Sequence, residues 1–188
     1  MKTLIKAGLI LSLIGCLALA GCGGKSPVTK ELYYDASDSS ATIAGYGGVP
    51  LSAIQCCVIF DTTKLSPYVN GRIIAVKLFN PNATTTYSYN PVVYEADSCV
   101  DPTTPISKNA SASPINCQSW KTINLETPVT IQSSKVYWVG FEATGLTASD
   151  YAEPVGSNPD YHNNKQSTNG SNWGNVSYNW VVRILVRK

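Results

Sequence analysis

The sequence predicts an all-β protein built as a two-sheet antiparallel sandwich. Three observations carry that expectation. Gly, Pro, Ser, Thr, Asn and Tyr are abundant while Met occurs once, with 14 Gly and 11 Pro in 188 residues. Short apolar runs alternate with turn-rich segments. Helix-forming residues never gather at helical spacing for more than a turn.

The strands follow in order. Weak strand signals lie near Tyr33 and Ile43. From Gln55 to Asp61 the alternation gives Cys56, Val58 and Phe60 to one face and Cys57, Ile59 and Asp61 to the other. From Gly71 to Phe79, Ile73, Ala75 and Phe79 share one face and Ile74, Val76 and Leu78 the other. Such two-sided apolarity predicts a central strand. Tyr87 to Glu95 follows the turn Asn80-Pro81-Asn82. Trp120 to Glu126 and Lys135 to Glu142 are expected to form a hairpin around Thr127-Pro128, with a strand start at Val129-Thr130-Ile131. A weak signal near Tyr151 precedes the last strand, Asn179 to Val186, where Trp180, Val182, Ile184 and Val186 line one face and Arg183 sits on the other.

The first 22 residues have a different character. Lys2 and Lys6 precede an apolar run from Ala7 to Ala20, which ends in Leu19-Ala20-Gly21-Cys22. A positive start, an apolar stretch too short to span a bilayer and small residues at its end make a secretory signal. With Cys after Leu-Ala-Gly, it resembles the signal of bacterial lipoproteins. The resemblance implies cleavage before Cys22, which then carries a thioether-linked diacylglycerol. An ordinary signal cut after Ala18-Leu19-Ala20 is the alternative, and it would release a soluble chain.

At about 0.8 kcal/mol per buried methylene, two or three acyl chains anchor a protein stably. The expected organisation is a signal peptide over 1–21, a lipidated Cys and flexible tether over 22–30, and a β-sandwich domain over 31–188. The tether from Gly23 to Lys30 reaches at most roughly 26–29 Å, which keeps the domain near its membrane. Gly23 in place of Asp after the lipidated Cys resembles the pattern for outer-membrane sorting. The expected address is therefore the cell envelope, at the outer membrane or cell surface more than the inner membrane.

Removing 1–21 takes away two of the 14 basic residues and none of the 12 acidic ones, which leaves a neutral mature chain. Nucleic acid is not an expected partner, because phosphate binding needs a basic surplus or a basic face. Arg183, Arg187 and Lys188 lie near one another and are expected to flank the final strand rather than form a binding patch. The roughly 167 residues that remain suit one domain with a proper core.

The order of motifs in this domain is similar to a β-sandwich accessory domain of secreted bacterial multidomain proteins. The similarity rests on Tyr33-Tyr34-Asp35, Gly45-Tyr46-Gly47-Gly48 and the strand from Arg72 to Phe79. It continues through Pro91 to Glu95, Trp120 to Pro128, Val136 to Glu142 with Thr144-Gly145, Trp173-Gly174 and Trp180 to Val186. The resemblance implies a jelly-roll-like sandwich that accompanies peptidases, glycan-active enzymes or adhesins without catalysing a reaction. The chain departs from that context in lacking a catalytic partner domain and in its added cysteines.

Cys56, Cys57, Cys99 and Cys117 remain in the exported domain, while Cys16 is discarded with the signal. An oxidising compartment makes disulfides the expectation. Cys99 and Cys117 bracket a loop rich in Pro, Ser and Asn, and a bridge closing its roughly 19 residues would contribute about 3 kcal/mol. Cys56 and Cys57 are adjacent on a strand and point to opposite faces, which disfavours a vicinal bridge. Either could instead pair with Cys99 or Cys117. The spacing lacks the Cys-x-x-Cys units of a zinc site.

Candidates for chemistry are few. His162 lies in the polar stretch Pro159 to Asn164, with no nucleophile motif to serve. Glu95, Asp97, Glu126, Glu142 and Glu153 supply carboxylates, yet nothing in their spacing sets two of them across one sugar. The expectation is a non-enzymatic, lipid-anchored surface module for binding or adhesion, which meets another envelope protein through its edges or loops.

A lectin-like function is the first alternative. Tyr151, Tyr161, Trp173, Tyr178 and Trp180 crowd the last third among Asn, Ser and Gly, and flat rings stack on sugar faces while amides bind hydroxyls. Calcium is the second alternative, with no cofactor otherwise expected. Asp35, Ser37 and Asp38 near the start, and Glu95, Asp97 and Asp101 in the loop region, could supply hard oxygen ligands, although none has EF-hand spacing.

Overall fold

The apolar stretches become strands in the structure, a computed structural model that describes residues 27–34, 42–44, 51–81, 86–97, 100–146, 153–156, 164–176 and 179–188. The first half supplies β1 (Thr29–Leu32), β2 (Thr42–Ala44), β3 (Leu51–Phe60), β4 (Arg72–Asn80), β5 (Tyr87–Ala96), β6 (Ser107–Lys108) and β7 (Ser113–Ile115). The second half supplies β8 (Ser119–Thr130), β9 (Val136–Leu146), β10 (Glu153–Gly156), β11 (Asn164–Ser167), β12 (Gly174–Asn175), β13 (Asn179–Trp180) and β14 (Val182–Arg187). Between β3 and β4 lies one turn of helix, α1 (Thr62–Leu65). The Asp61 carboxylate caps it by accepting a hydrogen bond from the Lys64 amide at 2.7 Å.

Two antiparallel sheets form the sandwich. The smaller runs β1-β14-β4-β8, and the larger runs β12-β11-β3-β9-β5-β6, with β7 also paired to β5. A separate small sheet joins β13, β10 and β2. The core lies between the two principal sheets. Cys56, Val58, Phe60, Val139 and Phe141 face it from the larger sheet, and Val76, Leu78, Ile123, Val182 and Ile184 from the smaller. Leu65 of α1 packs against the same core.

Strand alternation holds along β3: Cys56, Val58 and Phe60 enter the core, while Cys57 turns outward with Ile59 beside it. It also holds at the end of the chain, where Trp180, Val182, Ile184 and Val186 all face the core. β4 is internal to its sheet, as its two-sided apolarity predicts. The facing of Ile73 differs from the expectation. Ile73 packs in the same core as Val76 and Leu78. The reason is a bulge: Ile73 and Ala75 oppose the consecutive residues Val186 and Leu185, so Ile74 is an extra residue that shifts the alternation by one.

The expected hairpin of Trp120–Glu126 with Lys135–Glu142 does not form. β8 pairs with β4 in the smaller sheet, and β9 pairs with β3 and β5 in the larger one. The chain crosses between sheets after Ile131, where the Ile131 amide bonds Gly71 O at 2.9 Å and the Tyr137 hydroxyl accepts from the Gln132 amide at 2.9 Å. Thr127-Pro128 is not the turn. It belongs to an excursion within β8, because Asn124 opposes Ala75 and Val129 opposes Ile73, leaving 125–128 opposite Ile74 alone. Pro128, which has no amide hydrogen for a ladder, is tolerated at such a bulge.

That excursion ties the two sheets together. The Asn109 side chain donates to Asn124 O at 2.9 Å and accepts from the Glu126 amide at 3.0 Å. Ser107 donates to Thr127 O at 2.8 Å, and the Ala110 amide bonds the Glu126 carboxylate at 3.1 Å. A segment of the larger sheet's edge thus satisfies backbone groups that the bulge frees from the smaller sheet.

The disulfide expectation finds no bridge among the described residues. Cys57 and Cys117 carry free thiols, and Cys99 lies outside the described residues. Cys56 and Cys57 are fully buried on opposite faces of β3, which keeps them from bridging each other. Cys22 and the signal segment also lie outside the described residues.

Candidate functional site

The larger sheet has a second apolar layer on its outer face. Alternation sends Cys57 of β3, Val92, Tyr94 and Ala96 of β5, and Val136 and Trp138 of β9 outward, and Trp173 packs onto them. Trp173 meets Tyr94 edge to face at 5.3 Å and Trp138 at 5.2 Å. Its indole N–H donates to Pro102 O at 2.8 Å. Trp173 therefore joins two loops, 100–106 and 168–173, over the outer face. Lys165 lies over the Trp138 ring at 5.3 Å.

Beside this layer runs a polar chain. Lys108 pairs with Glu142 at 2.7 Å, Gln55 donates to the other Glu142 oxygen at 2.7 Å, and the Tyr94 hydroxyl donates to Gln55 Oε1. Cross-strand register explains the meeting, since Gln55 opposes Glu142 on β9 and Ser167 on β11. Gly170, at φ 74°, closes over the end of this chain, where a Cβ would come within 2.9 Å of Gln55 and 3.1 Å of Tyr94. Burial raises the Tyr94 hydroxyl well above its ordinary range, with the nearby Cys57 and Glu142 adding to the effect. Burial likewise raises the Cys57 thiol, which makes it a poor nucleophile.

Two clefts open on the loops of this sheet. The first, of about 360 Å³, gathers Glu95, Asp97 and Asp101 with Lys135 and the 100–104 loop. These are three of the acids whose sequence positions suggested calcium. Two of them already have partners: Asp97 pairs with Lys135 at 2.9 Å, and Glu95 accepts from Tyr137 at 2.9 Å and from Gln132 at 3.0 Å. The Asp97 hydrogen bond raises the Lys135 ammonium pKa. Tyr137 is pushed up to about 12, first by burial and then by Glu95. Among the described residues no group of three or more His, Cys, Asp or Glu side chains is placed to hold a metal ion. Asp35 and Asp38 lie outside the described residues.

The second cleft, of about 220 Å³, lies over β11 and the two-residue edge strand β12. Gln166, Ser167, Thr168, Asn172 and Asn175 provide its polar lining, with Gly174 and Val176 between them. Its loop is held by its own polar groups. Asn169 Oδ1 accepts from the amides of Ser171 at 3.0 Å and Asn172 at 2.9 Å, and Ser167 Oγ accepts from the Gly170 amide at 2.9 Å.

Of the aromatics proposed for sugar stacking, Trp173 is half-buried in the loop clamp. Trp180 is a core residue, with its ring N–H on Lys165 O and its amide on Asn164. Tyr151, Tyr161 and Tyr178 lie outside the described residues, as does His162. Of the carboxylates considered for glycoside chemistry, Glu95 and Asp97 meet in the first cleft, each already engaged by a neighbour, while Glu126 bonds the Ala110 amide and Glu142 joins Lys108 and Gln55; the Glu153 side chain lies outside the described residues.

The smaller sheet's outer face carries a feature with no motif in the sequence. Arg183 stacks between Tyr33, at 4.6 Å, and Trp120, at 4.3 Å, and bonds Glu31 at 3.0 Å. Lys77 joins at 3.1 Å from Glu31 and 5.1 Å from the Trp120 ring. Burial acts to raise the Glu31 pKa, and the hydrogen bonds from Arg183 and Lys77 outweigh it to leave the carboxyl lowered.

No protein-family model matches the chain, and comparison with curated proteins finds no match.

Proposed function

We propose that this chain is a lipid-anchored, non-enzymatic binding module of the bacterial cell envelope, which uses the loops of its larger sheet to hold a surface partner. The observation that carries this reading is the pair of clefts among the loops of that sheet, where the Trp173 clamp joins loops 100–106 and 168–173. Binding residues concentrate on loops fixed to a rigid scaffold. The carboxylates nearest these clefts support binding over catalysis, since Glu95 and Asp97 are each engaged by a neighbouring side chain. Gly21-Cys22 with the following Gly23 and Gly24 supports the anchor.

Adhesion to another envelope protein and recognition of a glycan are two forms of this module, and the uncharged second cleft favours the glycan. Calcium is the weaker alternative, since of the three carboxylates lining the first cleft Asp97 is paired with Lys135 and Glu95 is bonded by Tyr137 and Gln132. An unchanged melting temperature in excess calcium and in chelator would remove calcium from the account.

The module reading is tested by titrating fluorescently labelled full-length chain, in detergent, onto isolated envelopes of a strain lacking it. Saturable binding that unlabelled chain displaces is expected. Linear, undisplaced uptake matching that of an unrelated acylated protein would overturn it.

A further inference from the structure

We propose that the cleft over β11 and β12 is a subsite for one uncharged sugar ring, an inference that rests on the binding-module reading and names its ligand class. At about 220 Å³ it is smaller than the roughly 300–1,000 Å³ of pockets that enclose drug-sized ligands. It has room for a single ring and not for an extended oligosaccharide. Asn172 and Asn175 bring exposed amides and Thr168 an exposed hydroxyl, while Ser167 is buried and held by Asn169 and Gly170. Each of these groups both donates and accepts, as every sugar hydroxyl does. None of the lining side chains is charged, so an acidic sugar meets no cation in the cleft and a basic one no carboxylate. Val176 supplies an apolar wall for the C–H face of a ring.

A second observation concerns Gly174. Of the four glycines whose surroundings are defined, three are required by the fold. A Cβ at Gly71 would lie 2.7 Å from Arg187 O, one at Gly140 1.8 Å from Cys56 O, and Gly170 has the left-handed backbone described above. At Gly174 an added Cβ would come no nearer than 3.9 Å, to Gln166 O, and the backbone is not left-handed. An exposed strand position of this kind ordinarily favours a larger side chain. What the glycine does here is leave the cleft open. The hydrogen bonds around Asn169 and Ser167 fix the adjoining loop in advance, which lowers the ordering cost of binding.

The test titrates the full-length chain in detergent with glucose, galactose, N-acetylglucosamine, glucuronic acid and sialic acid, by ligand-observed NMR, with and without chelator. At least one neutral sugar is expected to saturate with a Kd on the order of 1 mM, as a small polar subsite allows, and chelator should leave it unchanged. Gly174→Val should weaken that binding at least tenfold while keeping the wild-type melting temperature. If valine alters folding, Gly174→Ala and Asn175→Ala replace it, each expected to weaken binding severalfold.

Retention of full affinity in folded Gly174 variants would overturn the inference, as would a preference for the acidic sugars or the absence of saturation by any neutral one. A chain that binds envelopes saturably yet ignores every neutral sugar defeats the subsite alone. A chain that binds a neutral sugar yet takes up linearly onto envelopes defeats the module reading.

Discussion

Replacing Asn109 with alanine should loosen the seam between the two sheets. Its side chain donates to Asn124 O and accepts from the Glu126 amide, at 2.9 and 3.0 Å, and the residue is 8% exposed. Alanine removes both bonds and strands a backbone carbonyl and a backbone amide in the bulge of β8. Each unsatisfied buried group costs about 1–3 kcal/mol, and partial water access favours the lower half, so the expected loss is about 2–4 kcal/mol. For a domain of this size that lowers Tm by roughly 5–15 °C. Asn109→Asp keeps the acceptor for Glu126 N but sets a carboxylate against Asn124 O and near the Glu126 side chain, so it should be no better than alanine. Urea unfolding followed by Trp fluorescence measures both variants. A loss below about 0.5 kcal/mol for Asn109→Ala, the scale of an ordinary surface substitution, would refute the view that the 125–128 excursion is held by the opposite sheet.

Gly140→Ala should destabilise by more than the roughly 1–3 kcal/mol of ordinary overpacking, because the clash is with backbone of β3 at 1.8 Å; a melting curve close to wild type would contradict the close approach of β3 and β9. Alkaline pH should destabilise the fold. Tyr137 ordinarily titrates at 10.0 and in the fold near 12, so between those values the native state keeps a proton that the unfolded chain has lost. The contribution is complete below pH 10 and is lost as pH rises through 12, with Tyr94 and Cys57 acting in the same direction. Tyr137→Phe should flatten this slope in urea titrations at pH 9–11; an unchanged slope would argue against the Tyr137 environment. Iodoacetamide on the native protein should label half-exposed Cys117 at least tenfold faster than buried Cys57, read by peptide mass spectrometry, and equal rates would place Cys57 outside the closed layer.

Period-two alternation made most of the strands legible, because a strand buried on one or both faces leaves its pattern directly in the sequence. β3, β5 and the terminal β14 follow it without correction. Pairing was less legible. Thr127-Pro128 resembles a turn in composition, yet the partner that accommodates it, Asn109, lies 17 residues before Glu126 and belongs to another sheet. The facing of Ile73 depended on a bulge that only the register with β14 reveals. At the candidate site, Trp173 was visible as an aromatic among polar residues, but its engagement with Pro102 joins positions 71 residues apart. The second cleft was legible only as polar composition, since Gly174 has meaning only once its open surroundings are known. Arg183 was expected on the outer face of the last strand, whereas its stacking against Tyr33 and Trp120 arises from three segments that share no local motif.

The most direct test of the anchored-module account is the mass of the mature N-terminal peptide, from full-length chain expressed in a bacterial host and extracted with detergent. The account predicts a peptide that begins at Cys22 and carries a diacylglyceryl thioether, with Cys22→Ser abolishing both the lipid and the cleavage. A peptide that begins at Gly21 with an unmodified Cys22 would contradict it and make the protein a released, soluble β-sandwich.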